Sequence, residues 1–280
     1  MAKLKFGTAG IPHSAKKRSS QEGIKRVAEL GLGCMELEFV RSVRMTEKTA
    51  EKVRTVAKDL GVDLTAHAPY YVNLNSVEQE KIVASKERIV KAAKIGWLAG
   101  AESVTFHAAF YHNDEHKKVF QNVKKHLYDI KETLDREGIE IDLRPETTGS
   151  PSQFGTVEEI VKLSQEIPGV LPCIDFSHIF TRSLGQKNTY EAFSFYLDYV
   201  SKYLGKDALS RMHIHLSGIE YGPKGERQHL KLKDSEINYR AIIQALVDYR
   251  VGGWVICESP NLEDDALLLY QTYQEFSASQ

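Results

Sequence analysis

Seven residues whose side chains bind divalent cations or move protons fall at the ends of short β-rich runs. They are His67, His107, His213 and His215, joined by Glu146, Asp175 and Glu258, and His178 follows one run by a few positions. Imidazole nitrogens and carboxylate oxygens are the usual ligands of zinc and manganese. Burying several imidazoles and three carboxylates together without a cation would be costly, so a shared metal site is the reading that fits the set. His213 and His215 are two apart and share one strand face, so only one of them need be a ligand. Asp175 and His178 are three apart across a strand end, where the chain turns and offers both to neighbouring ions. The other histidines carry less. His13 lies near the first run, His112 and His116 are expected to be solvated, and His126 is read as a surface helix residue. His229, in KGERQHLKL, is better placed.

What must position these residues is an alternation of strands and helices. Eight β-rich runs recur, at 4–10, 34–40, 63–69, 103–109, 140–146, 171–177, 211–217 and 254–259. Amphipathic helical segments separate them, at 23–30, 46–60, 77–98, 123–137, 157–167, 190–204, 237–249 and 265–276. Three are read as stopping at a glycine left-handed cap, at Gly61, Gly138 and Gly205. Such alternation requires right-handed crossovers and a parallel sheet. Eight units in 280 residues fit a closed α/β (β/α)8 TIM barrel, one domain over 1–280. No GxGxxG follows the first run, which removes the dinucleotide-binding alternative. In such a barrel the strand ends open into one mouth. Those ends comprise about 32 positions, where one of the ten histidines is expected by chance. The stretches 108–121 and 218–236 are read as loops over that mouth.

Composition sets outer bounds. Apolar residues make up 42% of the chain and charged residues 27%, and the net charge is −1. This excludes a strongly basic nucleic-acid coat and a polybasic membrane anchor. Cys34, Cys173 and Cys257 are far apart in apolar runs, which argues for buried thiols in a reducing compartment. No signal-peptide pattern and no long apolar stretch is present, so a cytoplasmic location without membrane attachment is expected. No heptad run points to an oligomer, and a monomer is expected.

At the level of motifs the chain resembles the endonuclease IV family of apurinic/apyrimidinic (AP) endonucleases, among the xylose-isomerase-like barrels. The resemblance runs from Phe6 to about Glu275. It rests on His67-Ala-Pro-Tyr70-Tyr-Val-Asn73-Leu, Phe106-His107, Pro145-Glu146-Thr147, Cys173-Ile-Asp175-Phe-Ser-His178, His215-Leu-Ser and Cys257-Glu258-Ser. It implies two or three Zn2+ per chain, with Mn2+ as an alternative. His67, His107 and Glu146 would hold the first ion, and Glu146 would bridge to a second completed by Asp175, His215 and Glu258. His178 would bind the third with His229. Here the family's Asp–x–His is replaced by Glu226-x-x-His229. His107-Ala-Ala also replaces the family's His–Pro–Gly.

The activity implied is metal-dependent hydrolysis of the phosphodiester 5′ to abasic sites in damaged duplex DNA. Glu258 and Glu146 would orient the attacking water besides ligating. Extruding an abasic nucleotide into a barrel mouth costs less than extruding a stacked base. Arg41 and Arg44 are candidate phosphate contacts, Tyr70 and Asn73 candidate pocket residues, and 14–18 is a short basic run. The alternative is a single-metal sugar isomerase or epimerase. Glu146, Asp175, His215 and Glu258 would suffice for it, and Glu36 and Glu38 resemble what sugar enzymes carry. That alternative leaves His67, His107 and His178 without a role.

Overall fold

The computed structural model describes residues 3–279. Its barrel strands are β1 Leu4–Ala9, β2 Cys34–Glu38, β3 Asp63–His67, β4 Ala101–Phe106, β5 Asp142–Pro145, β6 Cys173–Asp175, β7 Met212–Leu216 and β8 Gly253–Cys257. All pair in parallel in the order β5-β4-β3-β2-β1-β8-β7-β6. Bridges Leu143–Val170 and Glu146–Cys173 join β5 to β6 and nearly complete the ring. The chain is a (β/α)8 TIM barrel.

The outer ring consists of α1 Ser20–Glu29, α2 Glu47–Leu60, α3 Gln79–Leu98, α4 His116–Arg136, α5 Val157–Glu166, α7 Tyr190–Leu204, α8 Tyr239–Asp248 and α9 Glu263–Ala278, with a short α6 Phe176–Arg182 above β6. Local chemistry sets their ends. Ser19, Thr46, Thr189 and Asn238 cap helix starts with side-chain oxygens, and Thr156 with Glu159 forms a reciprocal capping box. Gly61 takes the expected left-handed cap at φ 65, whereas Gly205 is at φ 86, ψ 159, an extended glycine conformation.

Apolar burial divides in two. The main core is the annulus between sheet and helices, where Phe6 packs on Tyr270 and Tyr273 of α9. Inside the barrel, among the described residues, Cys34, Trp254 and Ile256, with Ala9 against them, form a small separate cluster. The rest of the lumen is polar. Lys5 pairs with Asp63 and Arg144 with Asp142, while Glu36, Thr65, Ser103, His213 and His215 are buried above them. All three cysteines are free and buried.

Three segments depart from expectation. Helix α4 begins at His116, not at 123, which shortens the loop after β4. The motif around Asp175 and His178 opens a helical turn, α6, not predicted as helix. The stretch 218–236 is not a plain loop but an antiparallel hairpin, Gly218–Gly222 paired with Gly225–Leu230. Its Pro223-Lys224-Gly225 turn was the available signal.

Candidate metal centre

At the mouth the ligand candidates gather into three groups. His67 closes β3, while His107 and Glu146 stand one residue beyond β4 and β5. His67 Nε2 and His107 Nε2 lie 3.4 and 3.1 Å from one Glu146 oxygen, Oε2. The other oxygen, Oε1, faces a second group, 3.2 Å from His215 Nδ1. Glu258 Oε1 stands 3.4 Å from that same nitrogen, and Asp175 completes the set. Donor atoms at about 2.1 Å from a tetrahedral ion are themselves roughly 3.4 Å apart, so these separations suit ions shared between them. Glu146 Oε2 and Asp175 Oδ2 are buried and have no hydrogen-bond partner, which is what carboxylate oxygens reserved for a cation look like.

The third group forms on α6 and the hairpin. Asp175 is the N-cap of α6 and accepts from the His178 backbone N–H at 2.7 Å, so this spacing fixes both residues at one helix start. His178 Nε2 lies 3.1 Å from Glu226 Oε2, and His229 Nε2 lies 3.5 Å from Glu226 Oε1. Residues three apart on a regular strand point to opposite faces. Here the register steps from Glu220–Gln228 to Tyr221–Glu226, leaving Arg227 as the extra residue of a β-bulge. Arg227 and Gln228 both face solvent, and Glu226 and His229 return to one face. The bulge absorbs the extra residue that distinguishes Glu–x–x–His from Asp–x–His.

In four of the imidazoles a second ring nitrogen is itself held, and that of His178 also lies 3.3 Å from Glu146 Oε1 and 3.4 Å from Asp175 Oδ2. Nδ1 of His67 donates to the Ala68 carbonyl at 2.7 Å, Nδ1 of His178 to Thr147 at 2.8 Å, and Nδ1 of His229 to Glu258 at 3.1 Å. Carbonyls only accept, so these nitrogens carry a proton, and each Nε2 is the nitrogen that would give up its own proton to face a cation. His215 is turned the other way, with Nε2 toward Glu36 and Nδ1 toward Glu146 and Glu258. Of the two β7 histidines, His215 is the one grouped with Glu146, Asp175 and Glu258, while His213, fully buried beneath it, meets Cys173 and His215 instead.

The mouth is strongly negative. Burial pulls the His67 imidazolium down, but its contact with Glu146 and the charges of Glu38 and Glu36 push it up to about 10. Burial likewise opposes His229, which Glu226 and Glu258 raise to about 9. Burial raises Glu226, yet His178 and His229 hold it well below the usual carboxylate range. Burial beside Glu36 and Glu258 pushes Glu38 up to about 8. A place that forces imidazoles to hold protons is a place that attracts cations.

The remaining candidates lie at the rim or beyond it. Arg41 and Arg44 are exposed and line a cleft of about 290 Å³ with Glu38. Tyr70 is 60% exposed, its ring edge toward His67 at 5.9 Å. Asn73 clips two loops together, its Oδ1 accepting from the backbone of Asn75 and Phe110. His112 and His116 are exposed as expected, whereas His126 is half-buried with its side chain 12% exposed, because α4 packs it beside Asp129. Exposed His13 lies within 2.8 Å of the Pro260 carbonyl. Sequence reasoning gave no structural role to Glu36, which the strand-two alternation of MELEF places inside the lumen.

Comparison with known proteins agrees with this architecture. A relative from Methanocaldococcus jannaschii, "uncharacterized protein MJ0133", is 45% identical over 272 residues, covering 97% of each chain. The crystal structure of endonuclease IV from Thermus thermophilus superposes with a TM-score of 0.73 at 18% identity, over 99% of this chain and 100% of that one. A D-tagatose 3-epimerase-like protein superposes with a TM-score of 0.75, also at 18% identity, over 98% and 97%. At that identity the two structures share the fold with this chain, and one fold carries both names. The model of the xylose isomerase-like TIM barrel family matches residues 24–276, and this chain belongs to that family.

Proposed function

We propose that the protein is a metal-dependent AP endonuclease, a hydrolase that cleaves the phosphodiester 5′ to abasic sites in duplex DNA during base excision repair in the cytoplasm. The observation that carries this reading is the set of three donor groups, His67/His107/Glu146, Glu146/Asp175/His215/Glu258 and His178/Glu226/His229, the first two sharing one carboxylate. Their all-nitrogen-and-oxygen chemistry suits Zn2+, with Mn2+ as the second choice. Clustered divalent ions supply hydroxide near neutral pH and neutralise charge on the attacking and leaving oxygens.

The chain's own residues do the rest. Glu258 and Glu146 would orient the attacking water besides ligating. Without cations the carboxylates of this mouth would repel a phosphate, so the negative field argues for a site completed by metal before substrate arrives. Arg41 and Arg44 flank the entrance as phosphate contacts, and Tyr70 offers an aromatic face beside the site. A near-neutral monomer making few local contacts is compatible with recognising a lesion by the ease of extruding it.

A second reading has its own observation. Glu146, Asp175, His215 and Glu258 form a complete four-ligand set, and Glu38, half-buried with one oxygen unpartnered, stands near Glu258 as a group for a sugar hydroxyl. Incubation with duplex DNA carrying one stable abasic analogue decides between them. Incision immediately 5′ to the lesion, lost on chelation and in Glu258→Gln, supports the nuclease. No incision after zinc or manganese is restored, with turnover of free or phosphorylated ketoses, overturns it in favour of an isomerase or epimerase.

A further inference from the structure

Three imidazoles of the centre have a ring nitrogen on a backbone carbonyl, whereas the nitrogen of His215 on the lumen side stands beside a buried carboxylate. Its Nε2 lies 3.0 Å from Glu36 Oε1. The other oxygen of Glu36 takes His213 Nε2 at 2.9 Å and the Thr65 hydroxyl at 2.7 Å. His213 Nδ1 in turn meets Ser103 Oγ at 3.1 Å. Glu36, Thr65, Ser103, His213 and His215 are all fully buried, so no water competes for these contacts. The two Nε2 atoms are 3.2 Å apart, so both imidazoles converge on the one carboxylate.

We propose that Glu36 is a positioning residue of the metal centre, which with His213 and Thr65 fixes His215 so that only Nδ1 faces the cation held with Glu146, Asp175 and Glu258. This rests on the metal-centre reading above and adds a residue group to it. A carboxylate behind a ligating imidazole orients the ring and makes it a better donor, commonly 10–100-fold in affinity. Here it has a second consequence. Cys173, His213 and His215 also come within reach of one another inside the lumen, a rival nitrogen-and-sulfur ligand set. As long as the Glu36 carboxylate occupies the Nε2 sides of both rings, those nitrogens are not offered to an ion in the lumen, and the ion stays at the mouth where substrate can reach it.

The test is cation binding, read independently of turnover. In zinc-loaded wild-type protein, ring nitrogen NMR is expected to show His215 coordinated through Nδ1 with a slowly exchanging proton on Nε2. Coordination through Nε2 overturns the inference, and this measurement needs no variant. Glu36→Gln is expected to weaken one zinc site about 10–100-fold while leaving the His178/Glu226/His229 site unchanged. In its cobalt-substituted form a thiolate-to-metal charge-transfer band, absent from wild type and removed by adding Cys173→Ser, is the expected signature of the released lumen set. A folded variant with wild-type affinity for every site overturns the proposal. Wild-type protein that takes up no cation overturns the metal-centre reading itself, a result distinct from either.

Discussion

Glu146 is the residue on which the centre turns, because its two oxygens face different groups: Oε2 toward His67 and His107, Oε1 toward His215. Glu226 plays a smaller part of the same kind between His178 and His229. Glu226→Gln keeps the shape and removes the charge, so zinc stoichiometry should fall by one equivalent while the groups around Glu146 stay filled. On the nuclease reading incision then drops on the order of 100-fold, the scale of losing one electrostatic contact with developing charge. Unchanged incision with the lower stoichiometry would leave the third group without a part in the chemistry. The imidazoles make a second prediction. His67 and His229 hold protons up to about 10 and about 9 in the metal-free site, and a ligand nitrogen must give its proton up. Zinc binding at pH 7 should therefore release protons, and affinity should climb as pH rises toward that range. Calorimetry in buffers of different ionisation enthalpy measures this, and binding without proton release would contradict the assigned ligands.

Among the elements, the hairpin after β7 is where sequence and structure part furthest. Strand ends could be read in advance, since alternation with period two puts His67, Glu146 and His215 on the inner face wherever the register falls. The hairpin's function could not, because a bulge leaves no mark in residue type: Arg227 and Gln228 suit an exposed strand and an exposed bulge equally. Helix α6 was hidden for a related reason, its start being set by Asp175 as cap, a role that spacing alone does not separate from ligation. Glu36 was seen only as a family likeness, since its partners Thr65, His213 and His215 come from two other strands. The bulge can be tested directly. Deleting Arg227 restores regular pairing and turns Glu–x–x–His into Glu–x–His, with both side chains still on one face. The third zinc site should survive this deletion with affinity within about tenfold, a margin set by side-chain reach. Gly149→Ala should do the opposite. A Cβ there would sit 2.8 Å from Glu226 Oε2 and 2.9 Å from Glu226 Cβ, so the carboxylate must move off His178. Zinc titration of the two variants should give opposite results at that site only, and loss in both would mean that the hairpin cannot tolerate any change.

For the whole molecule, the polar lumen makes stability a function of the cation. Three groups in the metal-free protein shift in the same sense. His67 rises from 6.5 to about 10 and His229 from 6.5 to about 9, so each contributes stability that is complete below 6.5 and disappears as pH rises through its folded value. Glu38, raised from 4.5 to about 8, disfavours its charged form in the fold, and its ionisation withdraws stability between those values. Below pH 6.5 His213, lowered to about 4, opposes Glu38. Metal-free protein should accordingly melt at progressively lower temperature from about pH 6.5 to about pH 10, steepest below 8 where all three act. Bound cations replace the imidazole protons as the positive charge beside the carboxylates, which removes the cause of that slope. Zinc at 100 times its Kd adds about 2.7 kcal/mol per site, or roughly 5–10 °C for a chain of this size. Melting curves with chelator and with zinc should therefore diverge as pH rises, by about that amount per site near neutrality and more above it. A constant offset across the range would mean that the cations bind away from His67 and His229, and coincident curves would mean that the lumen charges are balanced without them.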